Sequence, residues 1–344
     1  MSVQAVYLDP RSLLLEFGPL AGERERGEWV ARRLGELGFT PQRDELGNVW
    51  AGHGQGLLLL VAHIDTVLTP APVRQQGEKW FAPAVGDNSA GVAVLLSLAP
   101  LLLPLGIGLG FSVGEEGLGN LKGARALVAK LAPRMVVAVD GYMPGVVTEA
   151  VGSVRLRGLF VGPGGHAWGD RANPSPMPAL GQAIAALYEL KQHEDMSVNV
   201  GRVWGGEAIN AIPVEVGFEL DLRASKAAML EQLEAQARVV LMGAAQKQGV
   251  RLELEVLGRR PAGSTATPEM QRAARQALAE VGQEVRWLSG STDASAAVEA
   301  GIPALAFGTY RGGGAHTPEE WVEPESLVEG ARALWALVRS LRGL

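Results

Sequence analysis

The 344-residue chain has no cysteine, which excludes a disulfide framework, a thiolate metal ligand and a thiol nucleophile. Any metal site must therefore be built from His, Asp and Glu. Lysine is scarce, at six of 31 basic residues, and no basic cluster occurs anywhere. With a net charge of -6, neither nucleic acid nor an anionic membrane is the expected partner. The stretch MSVQAVYLDPRSLLLEF lacks the basic-then-apolar layout of a signal peptide, so a cytoplasmic location is expected. An uninterrupted membrane span is missing too. The most apolar window, VAVLLSLAPLLLPLGIGLGF, is split by Pro100 and Pro104 and crowded with glycine, which predicts helix, turn and strand inside a core.

What is present describes a globular enzyme-sized chain, 47% apolar and 20% charged, long enough for two cores. RERGEWVARRLGELGF has helical periodicity and stops at glycine, and GLLLLVAHID is apolar throughout, as a strand covered on both faces would be. NSAGVAVLLSLAPLL reads as a helix capped by Asn88 or Ser89, followed by the strand GIGLGFSV, the helix NLKGARALVAKL and the strand MVVAVDG. The pattern changes near residue 152. SVRLRGLFVG alternates, and the order from there is strand, helix, strand, strand, helix, strand, a split βαβ unit of about 110 residues. After RRPAGSTATP the helix–strand alternation resumes. The fold class is thus α/β, with residues 1–151 and 263–344 in an α/β/α sandwich and residues 152–262 inserted as a ferredoxin-like βαββαβ domain.

Chemistry-bearing residues stand just past the apolar strands: His63 and Asp65 in VAHIDT, Asp87 in GDNSAG, Glu115 and Glu116 in GEEG, Asp140 in VVAVDGY, and His316 in GGGAHTPEEW. Singly, each has an ordinary explanation as a strand-end turn, a helix cap, a solvated acidic pair or a mobile glycine loop. Together they place two imidazoles and several carboxylates where the strand ends of an α/β sheet converge, with no lysine to compensate. That much negative charge calls for counter-ions. Ligands of this kind suit two hydrolytic divalent cations, Zn²⁺ first, with Co²⁺ or Mn²⁺ as alternatives. The spacing of His63 and Asp65 would let the carboxylate orient the imidazole.

With these motifs in this order and the insertion at this point, nearly the whole chain resembles the di-zinc metallopeptidase family 20. That family contains peptidase T, aminoacylase, carnosinase-like dipeptidases and the succinyl-diaminopimelate desuccinylases, and the peptidase T-like branch is nearest. The resemblance implies that 1–151 with 263–344 is the catalytic domain and 152–262 a lid and dimerisation domain. It implies that His63 and Asp140 hold one metal, that Glu116 and His316 hold the other, and that Asp87 bridges the two. Asp65 would support His63, and Glu115 would be the catalytic base. Asn88 stands where an acid or small residue is usual, and the Asp87–Asn88 peptide bond is expected to be cis.

The inserted segment adds VGPGGHAWGDRANP, similar to the family stretch whose histidine, here His166, polarises the scissile carbonyl, from the partner subunit in dimeric members. GGEAINAIP resembles the family's Asn-x-Ile-Pro element, which implies that Asn210 contacts substrate. Arg223 in DLRA fits either substrate contact or a structural ion pair. Gly313 and Gly314 could offer backbone N–H groups to a substrate carboxylate or form a flexible loop. His53 and His193 read as structural or surface residues.

The expectation is an exopeptidase for di- or tripeptides, acting as a homodimer through the lid domain. Competing readings are an N-acyl-amino-acid deacylase of lysine- or arginine-type biosynthesis, a catalytically inactive metal-binding homologue, and a metal-free small-molecule binder.

Overall fold

The computed structural model describes residues 8–52, 58–190 and 194–344. His53 and His193 lie outside them. The chain folds as two compact units, one running up to Ala150 and resuming at Ser264, the other spanning Val151–Gly263.

The first unit is organised by an eight-stranded mixed sheet. Its order is Gln42–Arg43, Val49–Ala51, Gly108–Ser112, Leu58–His63, Met135–Val139, Ala304–Phe307, Gly145–Ala150 and Arg286–Gly290. The four strands from Gly108–Ser112 to Ala304–Phe307 run parallel, and the antiparallel pairs lie toward the edges. Leu58–His63 is buried along its whole length, which explains its unbroken apolar sequence. Leu58, Leu60 and Ala62 enter one core with the helices Pro10–Phe17, Glu23–Glu36, Ser89–Ser97, Pro268–Ala279 and Pro324–Arg342. Leu59 and Val61 enter a second core with Lys122–Leu131 and Ala294–Glu299. Alternate residues of one strand thus serve opposite helical layers, the definition of an α/β/α sandwich.

The long apolar run is divided as its prolines require. Helix Ser89–Ser97 is buried on every side, Ala99–Leu102 and Leu103–Leu105 each carry a proline in their first turn, and the chain turns at Gly106 into Gly108–Ser112. No helix among the described residues is long and apolar enough to cross a membrane. A separate four-stranded sheet joins Gly312–Gly313, Trp321–Val322, Lys79–Phe81 and Arg74–Gln76, anchoring both ends of the loop that carries His316.

In the second unit the antiparallel order is Met196–Gly205, Glu215–Ala224, Gly152–Val161, Arg251–Arg260, a ferredoxin-like arrangement. Helices Pro176–Glu189 and Ala227–Gln248 bury Val154, Leu156, Phe160, Phe218 and Leu220 against them. The alternate residues of the two central strands form cross-strand ion pairs instead, Arg157 with Glu219 and Arg155 with Asp221.

Candidate active site

Three of the four parallel strands lead at their carboxyl ends to acids or a histidine. His63 is the last residue of its strand, Asp140 follows Met135–Val139, and Gly108–Ser112 leads through Gly114, at φ +65°, to Glu115 and Glu116. Asp87 precedes the helix Ser89–Ser97, and the Asp87–Asn88 peptide is cis as expected. The Asn88 amide donates to the Val139 carbonyl at 2.9 Å, tying this turn to the strand end beside Asp140.

The tertiary fold brings these residues into contact. One ligand atom each from His63, Asp87 and Asp140 lies within 4.8 Å of the others, and the same holds for Asp87, Glu116 and His316. Asp87 belongs to both sets. Its Oδ1 stands 3.1 Å from His63 Nε2 and its Oδ2 stands 3.1 Å from His316 Nε2. His316 Nε2 is also 3.0 Å from Glu116 Oε1. Glu115, 5% exposed, forms a third set with His63 and Glu116. Two nitrogen and oxygen donor sets sharing one carboxylate, without sulfur, could hold a pair of divalent cations.

Electrostatics tell the same story. The Asp140 carboxyl is pushed up to about 7, by burial first and then by Asp87. His316 is raised to about 9, chiefly by its hydrogen bond to Asp87 and the nearby Glu116 charge. Burial opposes a charged His63, yet Asp65 and Asp87 outweigh it and raise its pKa. Each shift reflects the density of carboxylates gathered in this cluster.

Asp65 does more than support a histidine. His63 Nδ1 lies 3.1 Å from the Asp65 backbone carbonyl and 3.5 Å from its carboxylate. The carboxylate instead accepts the backbone N–H of Glu115 at 3.0 Å and of Glu116 at 2.7 Å. Burial opposes that charge, but His63 and the two N–H groups hold Asp65 down to about 2. One side chain therefore fixes the start of both glutamates.

Glu320 was invisible in the sequence except as a second acid after His316. It is 1% exposed, and its Oε1 accepts from the N–H groups of Gly86 and Asp87 at 3.1 and 2.7 Å. A Cβ at residue 86 would stand 2.6 Å from that oxygen and 2.9 Å from Tyr310, so only glycine fits. Tyr310 packs edge-on against Tyr142, whose hydroxyl accepts the N–H of Ala315, next to His316. A buried layer thus supports Asp87 and His316 together.

The remaining expected site residues lie elsewhere. Gly313 is in the short strand below His316, and Gly314, at φ +75°, accepts the Thr317 hydroxyl at 2.7 Å through its carbonyl. His166 lies in the short strand Gly165–His166 of the second unit, which pairs with Ala211–Ile212; Asn210 directly precedes that partner strand, and Ala167 N–H donates to the Asn210 carbonyl at 2.8 Å. Arg223 donates to Asp221 at 2.8 Å on the charged face of that unit's sheet.

Similarity to known proteins agrees with this geometry. The chain is 27% identical to carboxypeptidase G2 of a Pseudomonas species, over 93% of this chain and 85% of that protein. It is 30% identical to the N-carbamoyl-L-amino acid amidohydrolase of Geobacillus stearothermophilus, over 60% of this chain and 52% of that protein. A tripeptidase from Staphylococcus aureus superposes with a TM-score of 0.84 at 19% identity, covering 99% of this chain and all of the other. Residues 59–340 match the description of one family across both units, so the chain is a member of peptidase family M20/M25/M40.

Proposed function

We propose that this amide hydrolase is an exopeptidase for di- and tripeptides, working through two divalent metal ions with Glu115 as general base. The observation that carries the reading is the pair of donor sets joined at Asp87, with Glu115 fixed beside them by Asp65. His63, Asp87 and Asp140 would hold one ion, and Asp87, Glu116 and His316 the other. Ions bound there, Zn²⁺ in the first instance, would bring the pKa of water toward about 7 and polarise the amide carbonyl.

The chain's own groups do the rest. The Glu115 carboxylate takes the proton of the attacking water and returns it to the nitrogen of the leaving amine. Asp65 keeps the Glu115 main chain in place throughout. Backbone N–H groups around Gly313 and Gly314 are candidate contacts for a substrate carboxylate, and Asn210 is a separate candidate substrate contact. Arg223, already paired with Asp221, serves the sheet.

His166 is the proposed donor to the carbonyl oxygen. Its Nδ1 accepts the backbone N–H groups of Trp168 and Gly169, both at 3.2 Å, and the His166 backbone N–H donates to the Asp170 carboxylate at 2.7 Å. An Nδ1 that accepts leaves the proton on Nε2, the nitrogen free to donate. Nitrogen NMR of ¹⁵N-histidine-labelled protein should show His166 as the Nε2–H tautomer. His166→Ala should lower kcat by about 10²–10³, the usual loss for one oxyanion donor. An Nδ1–H ring, or turnover unchanged in that variant, would remove His166 from the reaction. By resemblance the second unit is a lid and a dimerisation surface in the cytoplasmic enzyme; light scattering that finds only monomer would refute the dimer.

Sequence identity favours one second reading, an N-acyl- or N-carbamoyl-amino-acid hydrolase. Besides the amidohydrolase, 149 residues are 30% identical to a putative [LysW]-lysine/[LysW]-ornithine hydrolase of Pyrococcus abyssi. Metal-reconstituted protein offered free di- and tripeptides, acetyl-ornithine, succinyl-diaminopimelate and N-carbamoyl amino acids should turn over the peptides with the highest kcat/KM. Preference for an acylated amino acid would transfer the assignment to the second reading. Cleavage of none of them would sink both.

A further inference from the structure

Helix Glu23–Glu36 reads in the sequence as an ordinary amphipathic helix, and it precedes the residues matched to the family. Its inner face is not ordinary. Glu23 Oε1 accepts the backbone N–H of Gly114 at 3.0 Å, the residue directly before Glu115. One turn on, Arg26 is completely buried and donates to Ser89 Oγ at 2.8 Å, two residues after Asp87. The Ser89 hydroxyl in turn donates to the Ala84 carbonyl at 2.6 Å, so Arg26, through Ser89, holds both flanks of the Gly86–Asp87 turn. Between these two side chains and the next turn lies Gly27. A Cβ there would stand 3.4 Å from Ile64 and from the Gly47 carbonyl, so the helix lies close against the residue separating His63 from Asp65.

Residues at i, i+3 and i+4 share one face of a helix, and here that face meets three loops of the site. A buried guanidinium is costly unless something requires it. Arg26 is held over the Phe17 ring at 4.0 Å and donates to the Leu20 carbonyl at 3.2 Å. Burial pulls its pKa down to about 9, with attraction to Asp65 opposing, so it remains a cation at neutral pH. Neither residue reaches a candidate metal donor set, so neither is a ligand.

We infer that Glu23 and Arg26 are positioning residues that make this helix part of the hydrolytic site: Glu23 sets the main chain of the catalytic glutamate, and Arg26 sets the turn that presents the shared aspartate. The inference rests on the proposed function for its kinetic readout, but its structural readouts do not depend on activity. Glu23→Ala removes the acceptor, whereas Glu23→Gln keeps an oxygen in the same place and discards only the charge. Glu23→Ala is expected to lower kcat about tenfold with KM and melting temperature near wild type, and to speed hydrogen exchange at the Gly114 amide; Glu23→Gln should restore both. If Glu23 merely complemented the helix dipole, both variants would lose stability equally, and that outcome overturns its role. Arg26→Lys keeps the charge and loses the planar fork. Calorimetric titration of the metal-free protein with Zn²⁺ should show about tenfold weaker binding in that variant, while Arg24→Ala, on the exposed face, matches wild type. Wild-type Zn²⁺ affinity in a folded Arg26→Lys protein overturns the role of Arg26. Should that variant fail to fold, the Glu23 pair still decides the inference. A wild-type protein that cleaves no amide at all would count against the proposed function, and Gly114 exchange with Zn²⁺ affinity would still test this one.

Discussion

Glu115→Gln is expected to fold normally, retain both metal ions and lose nearly all amide hydrolysis, with kcat falling about 10²–10⁴-fold and KM little changed. The substitution keeps the size of the side chain and removes its ability to accept a proton. Its backbone anchor survives, because Asp65 binds the Glu115 N–H and not the side chain. Glu116, one residue on, cannot take over, since its carboxylate faces His316 and belongs to the set shared with Asp87. The check is steady-state kinetics beside metal analysis of the same sample. Turnover within a few-fold of wild type, with metals bound, would remove Glu115 as the base.

The second large effect is expected at Asp87. One oxygen faces each histidine, so Asp87→Ala damages both donor sets at once. Partners that only orient a ligand typically cost about 10–100-fold in metal affinity, so loss of a shared ligand should exceed that range. Two equivalents in the wild-type protein should fall to none at micromolar metal, whereas Asp140→Ala, which breaks one set, should leave one. If Asp87→Ala still bound two equivalents, the shared-ligand geometry would be wrong. The sign of the pH effect follows from the protons in the metal-free site. Asp140, raised to about 7, and His316, raised to about 9, must release theirs before binding, so affinity should strengthen with rising pH through both values, from about pH 6 to about pH 10.

These expectations draw on information of two kinds. His63, Asp87, Glu115, Glu116, Asp140 and His316 were legible in the linear sequence because each sits at a junction with a local signature. An apolar strand stops, or a helix begins, and a polar residue stands where a turn would satisfy itself with something commoner. The inserted βαββαβ unit was legible for a related reason: side chains of Gly152–Val161 and Glu215–Ala224 alternate between core and solvent, and alternation survives in the sequence. The buried strand Leu58–His63 needed only its apolar run.

The supporting residues were not legible, and the reason is distance along the chain. Glu320 acts on Asp87 across 233 positions, Glu23 on Gly114 across 91, and Arg26 on Ser89 across 63. No periodicity links such partners, and each acid or arginine sits in a stretch rich in others like it. Arg26 even contradicts its own helical pattern, since an arginine on the apolar face predicts exposure. Asp65 illustrates the boundary. Its place two residues after His63 marked it as part of the site, but only the packed structure shows its carboxylate spent on two backbone N–H groups. The sequence by itself determined which groups could do chemistry, because strand ends and helix starts are encoded locally. Only the tertiary structure decided what holds them still, because that depends on hydrogen bonds between segments that meet after folding.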